Sequence, residues 1–389
     1  MRDVKLMARG MYDILGEGAF TVLARAKELE RKGRDIIHFE IGEPDFPTPG
    51  PVVEAVKKAL DEKFTKYVSA DGIPELKEAI AEDIKRTRGF KPDLDQILVL
   101  PGCKPGIFFS MTGLIDPGDE VIYPDPGFPT YRSVIRYIGA KGIPIPLLEK
   151  NDFRMSPDHI RERITGKTKL IIINSPQNPT GSVIKPEEIK EIAEIAEEHD
   201  TYLLTDEIYS KMLYDEAEFS SPASYDQARE RTVLLDGLSK SYSMTGWRIG
   251  YAIGPKDFIA RMNLLSINAI SCTTSFVQKA AVEALRGDQS FLREMMQRFS
   301  ERRRAIVDGL NTVEGFSCLP PKGAFYAWPN ITGTGLSSQE LADKLLEEAG
   351  VATLPGPSFG NNGEGYLRFS YPTSVENIQK AVERIREVL

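Results

Sequence analysis

What most limits how this chain can fold is an alternation: short, largely apolar runs recur between stretches of helical periodicity over most of its 389 residues. The runs at 36–41, 97–100, 120–123, 170–174, 202–205, 233–236 and 249–253 are short, rich in Ile, Val and Leu, and read as strands. Between several of them, 75–88, 186–199 and 275–286 repeat apolar residues at three- and four-residue steps, the mark of an amphipathic helix. A strand apolar on both faces must be covered on both. The pattern therefore predicts an α/β fold with a mostly parallel central sheet and helices on both faces.

Past residue 289 the rhythm changes. A long helix at 289–310 is expected from the stripe Leu292, Met295, Met296, Phe299, Ile306, Val307 and Leu310. Strands at 324–328, 351–354 and 366–370 then alternate with helices at 338–349 and 374–388, a smaller α+β unit. A first helix at 20–32 is expected to pack against that unit, because the strand at 36–41 runs straight into a proline-rich connection, Glu43 to Pro51, that ends regular structure. A chain of this length exceeds one simple core. The expected division is 1–45 as the N-terminal segment of the small domain, 46–288 as the large domain and 289–389 as the rest of the small one.

A formal charge of −8 supplies no basic field for nucleic acid or an anionic membrane, so an anionic ligand needs a local basic pocket. The three cysteines, Cys103, Cys272 and Cys318, are widely spaced, which argues against a disulfide framework or a zinc site and fits a reducing compartment. The opening residues lack a signal-peptide pattern, and no run of about 20 apolar residues appears that would span a bilayer. The expectation is a soluble, cytoplasmic protein.

The densest chemical signal is Gly237-Leu238-Ser239-Lys240-Ser241-Tyr242-Ser243-Met244-Thr245-Gly246-Trp247-Arg248. Small residues let backbone N–H groups approach an anion, hydroxyls donate to phosphate oxygens, and arginine clamps phosphate with a planar fork. A lysine beside such a pocket can bond covalently to a carbonyl cofactor. A surface lysine in a serine-rich loop leaves Trp247 and Arg248 unexplained.

Six motifs in order extend this signal: Gly42-Glu43-Pro44-Asp45; Tyr67 with Gly72 and Leu76; Asn178-Pro179-Thr180-Gly181; Asp206-Glu207-Ile208-Tyr209; the Lys240 segment; and Leu367-Arg368-Phe369. In this the chain resembles, over essentially its whole length, the class I aminotransferases of the fold-type-I pyridoxal-phosphate enzymes, aspartate- and aromatic-aminotransferase-like. The resemblance implies pyridoxal 5'-phosphate carried on Lys240, the catalytic acid and base, and transfer of an amino group between an amino acid and a 2-oxo acid. It also implies the glutamate/2-oxoglutarate pair with aspartate or an aromatic amino acid as partner, and a homodimer with active sites at the subunit interface.

Carried over residue by residue, the resemblance pairs Asp206 with the ring nitrogen, although an Asp after a strand is also a good helix cap. Tyr209 would meet the ring oxygen, and Asn178 both that oxygen and the substrate carboxylate. Arg368 would grip the α-carboxylate, assisted by backbone near Gly42; an arginine on a semi-buried strand needs some anion in any case. Phe128 would stack on the cofactor and Tyr67 reach the phosphate bound to a neighbouring subunit. Gly102, Cys103 and Lys104 open a helix whose free N–H groups suit phosphate, joining Ser239 and Arg248. Lys104 opposes the dipole of that helix, so something anionic should compensate it. The matching lysine of one aspartate aminotransferase subgroup holds the substrate's distal carboxylate, while a solvated lysine reads as well.

Three departures stand out. Position 237 is glycine where many relatives carry serine, residues 266–275 contain no arginine, and Gly16-Glu17-Gly18 replaces a usual Pro-Ser before the first helix. The same cofactor and fold also suit a C–S β-lyase or a ring-forming synthase. A regulator's ligand-sensing domain would need a basic DNA-binding module ahead of it, for which the first 35 residues are too few. A dinucleotide site would need a Gly-x-Gly-x-x-Gly after an early strand, and none is found.

Overall fold

The computed structural model describes residues 7–389. A short strand β1 (Ile37–His38) precedes a seven-stranded sheet made of β2 (Ile97–Leu100), β3 (Glu120–Asp125), β4 (Lys141–Pro146), β5 (Thr168–Asn174), β6 (Tyr202–Asp206), β7 (Thr232–Gly237) and β8 (Gly250–Ile253). Their spatial order is β2-β8-β7-β6-β5-β3-β4. The neighbours from β7 to β4 all run parallel, while β8 is antiparallel to both β7 and β2. β2, β3, β7 and β8 are buried at every position, as strands covered on both faces must be. The predicted α/β sheet is present.

Two local expectations change. β4 escaped prediction because its sequence, KGIPIP, carries two prolines that cannot donate to a ladder. It lies at the edge of the sheet, where a missing donor is tolerated. The strand expected at 36–41 shrinks to two residues, paired in parallel with β10 (Val351–Ala352), while β9 (Tyr326–Ala327) belongs to another sheet. The N–H of Phe39 still donates to Ala352, but further on the backbone is committed elsewhere: the carbonyl of Glu40 accepts from Arg368 and that of Gly42 from Lys240.

β11 (Leu354–Pro355), β12 (Leu367–Ser370) and β9 form a small antiparallel sheet in the order β11-β12-β9. Phe299 from the long helix Ser290–Leu310 packs with Phe325, Tyr326 and Phe369, and the same cluster takes in Ile208, Tyr209 and Met212, which follow β6. The helix Gly18–Arg31 sets Ala26 against Ile36, Leu346 and Ala352, the packing expected of the first helix. The helix expected over 338–349 is α-helical from Ser338 to Lys344 and closes in a π turn, Leu345–Ala349, ended by left-handed Gly350 (φ 65°).

Candidate active site

Parallel strands end on one edge of their sheet, and open α/β sheets bind ligands at that edge. β5 and β6 end in register at Asn174 and Asp206, and β7 leads into Gly237 beside them. A cavity of about 480 Å³ opens there. Of the residues singled out from the sequence, Gly42, Cys103, Lys104, Phe128, Asn178, Asp206, Tyr209, Ser239, Lys240, Arg248 and Arg368 all line it. Gly102 stands directly behind Arg248. Tyr67 lies outside the lining and is 86% exposed.

The amine of Lys240 donates to the Gly42 carbonyl at 2.6 Å and sits 5.8 Å from the centre of the Phe325 ring. Burial pushes this ammonium down to about 8; the charges of Arg368 and Arg248 act in the same direction and Glu43 opposes them. An amine so placed sheds its proton close to neutrality, as a proton-transferring lysine must.

Asp206 is buried at the end of β6. Burial pushes its carboxyl up to about 6, against the hydrogen bond it accepts from Tyr131 (2.7 Å) and the backbone N–H of Ile208 (3.4 Å). A buried carboxylate without a cation is costly, so a positively charged group facing Asp206 would relieve it. Tyr209 and Tyr326 share a 2.6 Å hydrogen bond between their hydroxyls at the same cavity.

The basic corner is built from backbone and Arg248. The helix Cys103–Leu114 begins at left-handed Gly102 (φ 87°), and a Cβ there would lie 2.5 Å from Arg248 Nη2. Arg248, itself at φ 53°, donates to the carbonyl of Thr245 at 2.8 Å, and Ser239 lines the same cavity. The glycine at 237 is enforced by packing. A Cβ would come within 2.9 Å of Gly250 Cα and 3.1 Å of Cys103 Sγ, so Cys103 occupies the room a serine would need. Burial drives the Cys103 thiol well above its usual value, and it stays protonated.

Arg368 lies on β12, buried between the rings of Tyr326 and Phe359, whose centres are 4.6 and 4.9 Å from its guanidinium carbon. It donates to Asn178 Oδ1 at 3.1 Å and to the carbonyl of Glu40 at 2.5 Å, while its Nε has no protein partner. No carboxylate is bonded to it among the described residues, and burial lowers its pKa. A buried guanidinium in this state calls for an external anion.

Lys104 has a partner that its sequence context left unnamed. Its ammonium is paired with Glu17 and lies 5.4 Å from the centre of the Phe128 ring. Glu17, Phe20, Ile107, Tyr131, Thr245 and Tyr326 also line the cavity. Nothing in sequence spacing connects Tyr131, Tyr326 or Glu17 to the site.

Behind the cavity, Arg88 is fully buried at the end of the helix Pro74–Arg88. It donates to Glu207 (3.1 Å), Asp236 (2.5 Å) and Ser210 (2.9 Å), tying the end of β6 to the end of β7. Burial works against this charge, but Asp236 and Glu207 hold the guanidinium protonated.

The residues present fit a phosphorylated aldehyde with a basic ring nitrogen. An amine able to bond the aldehyde, a buried anion for the nitrogen and a small-residue, arginine-backed corner for the phosphate share one cavity. The family model for "Aminotransferase class I and II" matches residues 34–385. The aspartate aminotransferase of Pyrococcus horikoshii is 41% identical over 364 residues, 93% of each chain. The aromatic-amino-acid aminotransferase 2 of Thermococcus litoralis is 39% identical, covering 91% of this chain and 92% of that one. The crystal structure of the Thermus thermophilus aspartate aminotransferase with maleate superposes with a TM-score of 0.95 at 37% identity, covering 100% of both chains.

Proposed function

Since the chain belongs to the class I and II aminotransferases, a pyridoxal-phosphate-dependent family, we propose that its shared substrate pair is glutamate and 2-oxoglutarate, with aspartate or an aromatic amino acid as the partner. Relatives named for aspartate and for aromatic amino acids match it almost equally well, which supports both partners. The reaction itself, transamination between an amino acid and a 2-oxo acid, follows from family membership.

When bound, pyridoxal phosphate supplies an aldehyde that bonds the substrate's amine and a conjugated ring that accepts the electrons of the Cα–H bond. The chain's residues divide the remaining work. Arg368 and Asn178 hold the α-carboxylate, which fixes the orientation of Cα. Lys240 Nζ takes the proton from Cα and would hand it on to the carbon of the cofactor's aldehyde, and the second half-reaction runs the same transfer backwards. Asp206, supported by Tyr131, would supply a negative charge for the ring nitrogen, and Tyr209 and Asn178 would supply hydrogen bonds for the ring oxygen. Phe128 would offer its ring face to the cofactor. Ser239, Arg248 and the backbone of Gly102, Cys103 and Lys104 take the phosphate.

The observation that carries this reading is the sharing of one cavity by Lys240, its amine lowered to about 8, with Asp206 and Arg368. The test mixes the pyridoxal-phosphate-loaded protein with single amino acids and follows the cofactor's absorbance. Glutamate, together with aspartate or phenylalanine, is expected to change it. If none does, the substrate reading is refuted.

The proposal extends to a homodimer in which Tyr67 reaches the neighbouring subunit's phosphate. The 86% exposure of Tyr67, and the exposed Leu264, Leu265 and Ile267 on one helix, support that reading. It also includes the division into domains 46–288 and 1–45 with 289–389, and residence in the cytoplasm, which the free cysteines favour. Among the described residues, no helix is long and apolar enough to cross a membrane.

A further inference from the structure

The pairing of Lys104 with Glu17 bears on which side chains the cavity accepts. Lys104 stands in the first turn of the helix Cys103–Leu114, where a cation opposes the positive end of the dipole. It therefore needs an anion, and Glu17 provides one from 87 residues away. Glu17 occupies the position before the helix Gly18–Arg31 yet makes no side-chain bond to that helix end. Its carboxylate is turned away from its own helix and into the cavity.

We propose that Glu17 is the exchangeable counter-ion of Lys104. With the pair closed, the outer end of the cavity takes an uncharged aromatic side chain; a substrate bearing a distal carboxylate takes Lys104 and displaces Glu17. This deepens the reading of glutamate plus an aspartate or aromatic partner, and rests on it.

Three observations carry the exchange. First, the pair is accessible: the side chains of Lys104 and Glu17 are 43% and 24% exposed. Ion pairs this open are worth no more than about fivefold in an equilibrium, so an incoming carboxylate can compete. Second, the surroundings suit a neutral guest once the charges cancel. The Phe128 ring lies against the Lys104 ammonium, and Phe20 and Ile107 line the same end. Third, Glu17 has somewhere to go. A Cβ at the preceding Gly16 would meet nothing within 4 Å, so the backbone before Glu17 has free space around it.

The test uses the pyridoxal-phosphate-loaded protein and two non-reacting acids, succinate and 3-phenylpropionate, with dissociation constants from calorimetry. Glu17→Gln is expected to tighten succinate about fivefold and to leave 3-phenylpropionate within about twofold. Lys104→Ala is expected to weaken succinate at least about tenfold. In the Lys104→Ala background, Glu17→Gln should lose most of its effect. An unchanged succinate affinity in Glu17→Gln, or an equal gain in both backgrounds, overturns the exchange. A wild-type protein that binds both acids alongside such a result sinks this inference alone. A wild-type protein that binds neither acid refutes the substrate reading and the exchange with it.

Discussion

Tyr131 donates its hydroxyl to Asp206 Oδ2 across 2.7 Å, joining the helix Pro129–Tyr137 to the end of β6 inside the cavity. This bond favours the charged carboxylate against burial, which acts to neutralise it. Tyr131→Phe removes it without altering the ring. Hydrogen bonds to charged groups are worth about 1.5–3 kcal/mol, so cofactor affinity should fall about tenfold or more. Equilibrium dialysis against pyridoxal phosphate measures this, and an unaltered dissociation constant would show that Tyr131 only packs.

Lys240→Ala should lose at least about a thousandfold in the amino-group half-reaction, because no other amine in the lining can take the Cα proton from that position. Borohydride reduction of the loaded wild-type protein, followed by peptide mapping, should leave the label on Lys240. Label on another lysine contradicts the assignment.

Arg368→Lys keeps the charge but loses the fork that serves Asn178, Glu40 and an external carboxylate together. A loss of about 2–3 kcal/mol in kcat/KM is expected for amino acids. With an amine lacking the α-carboxylate, wild type and variant should converge. A variant that suffers equally with both amines has lost structure instead.

Restoring a hydroxyl at position 237 is expected to do harm. The Cβ of Gly237→Ser would press on the backbone of Gly250 and on Cys103. Overpacking of this kind costs about 1–3 kcal/mol. A lower urea midpoint with no gain in phosphate affinity checks it, whereas tighter cofactor binding at full stability would show that the site has room.

His38 lies between Glu40 (2.7 Å) and Glu30 (3.0 Å), whose hydrogen bonds raise it to about 8 against burial. Its folded-state value lies above its unfolded value near 6.5. The stabilisation is thus complete below about 6.5 and lost as pH rises through 8, on the order of 1 kcal/mol. The melting temperatures of wild type and His38→Gln should differ at pH 6 and converge by pH 9. A gap independent of pH would assign the effect to packing.

What the sequence disclosed follows from how far apart the cooperating residues lie along it. The parallel sheet was legible because each central strand is apolar on both faces within its own few residues. Lys240, Ser239 and Arg248 fall within one loop, so their chemistry could be read as a unit. Asp206 and Tyr209 also lie three residues apart, but what is expected of each comes from the resemblance. Tyr131, Tyr326 and Arg88 were missed, since each gains meaning only from a partner 75 to 148 residues distant. β4 hid behind its prolines. The dipole argument for Lys104 called for an anion, but only the folded chain supplies Glu17.

The register of β1 on β10 carries a consequence for how such a molecule comes into being. Ile37 pairs with Val351 and His38 with Ala352, in parallel. On a ribosome, the N-terminal strand therefore has no β10 to pair with until some three hundred further residues have been made. The anchoring of Arg368 shares that delay, because its guanidinium is held by the carbonyl of Glu40. Catalytic competence is thus an event that follows translation, and it sets in only once the two ends of the polypeptide have met.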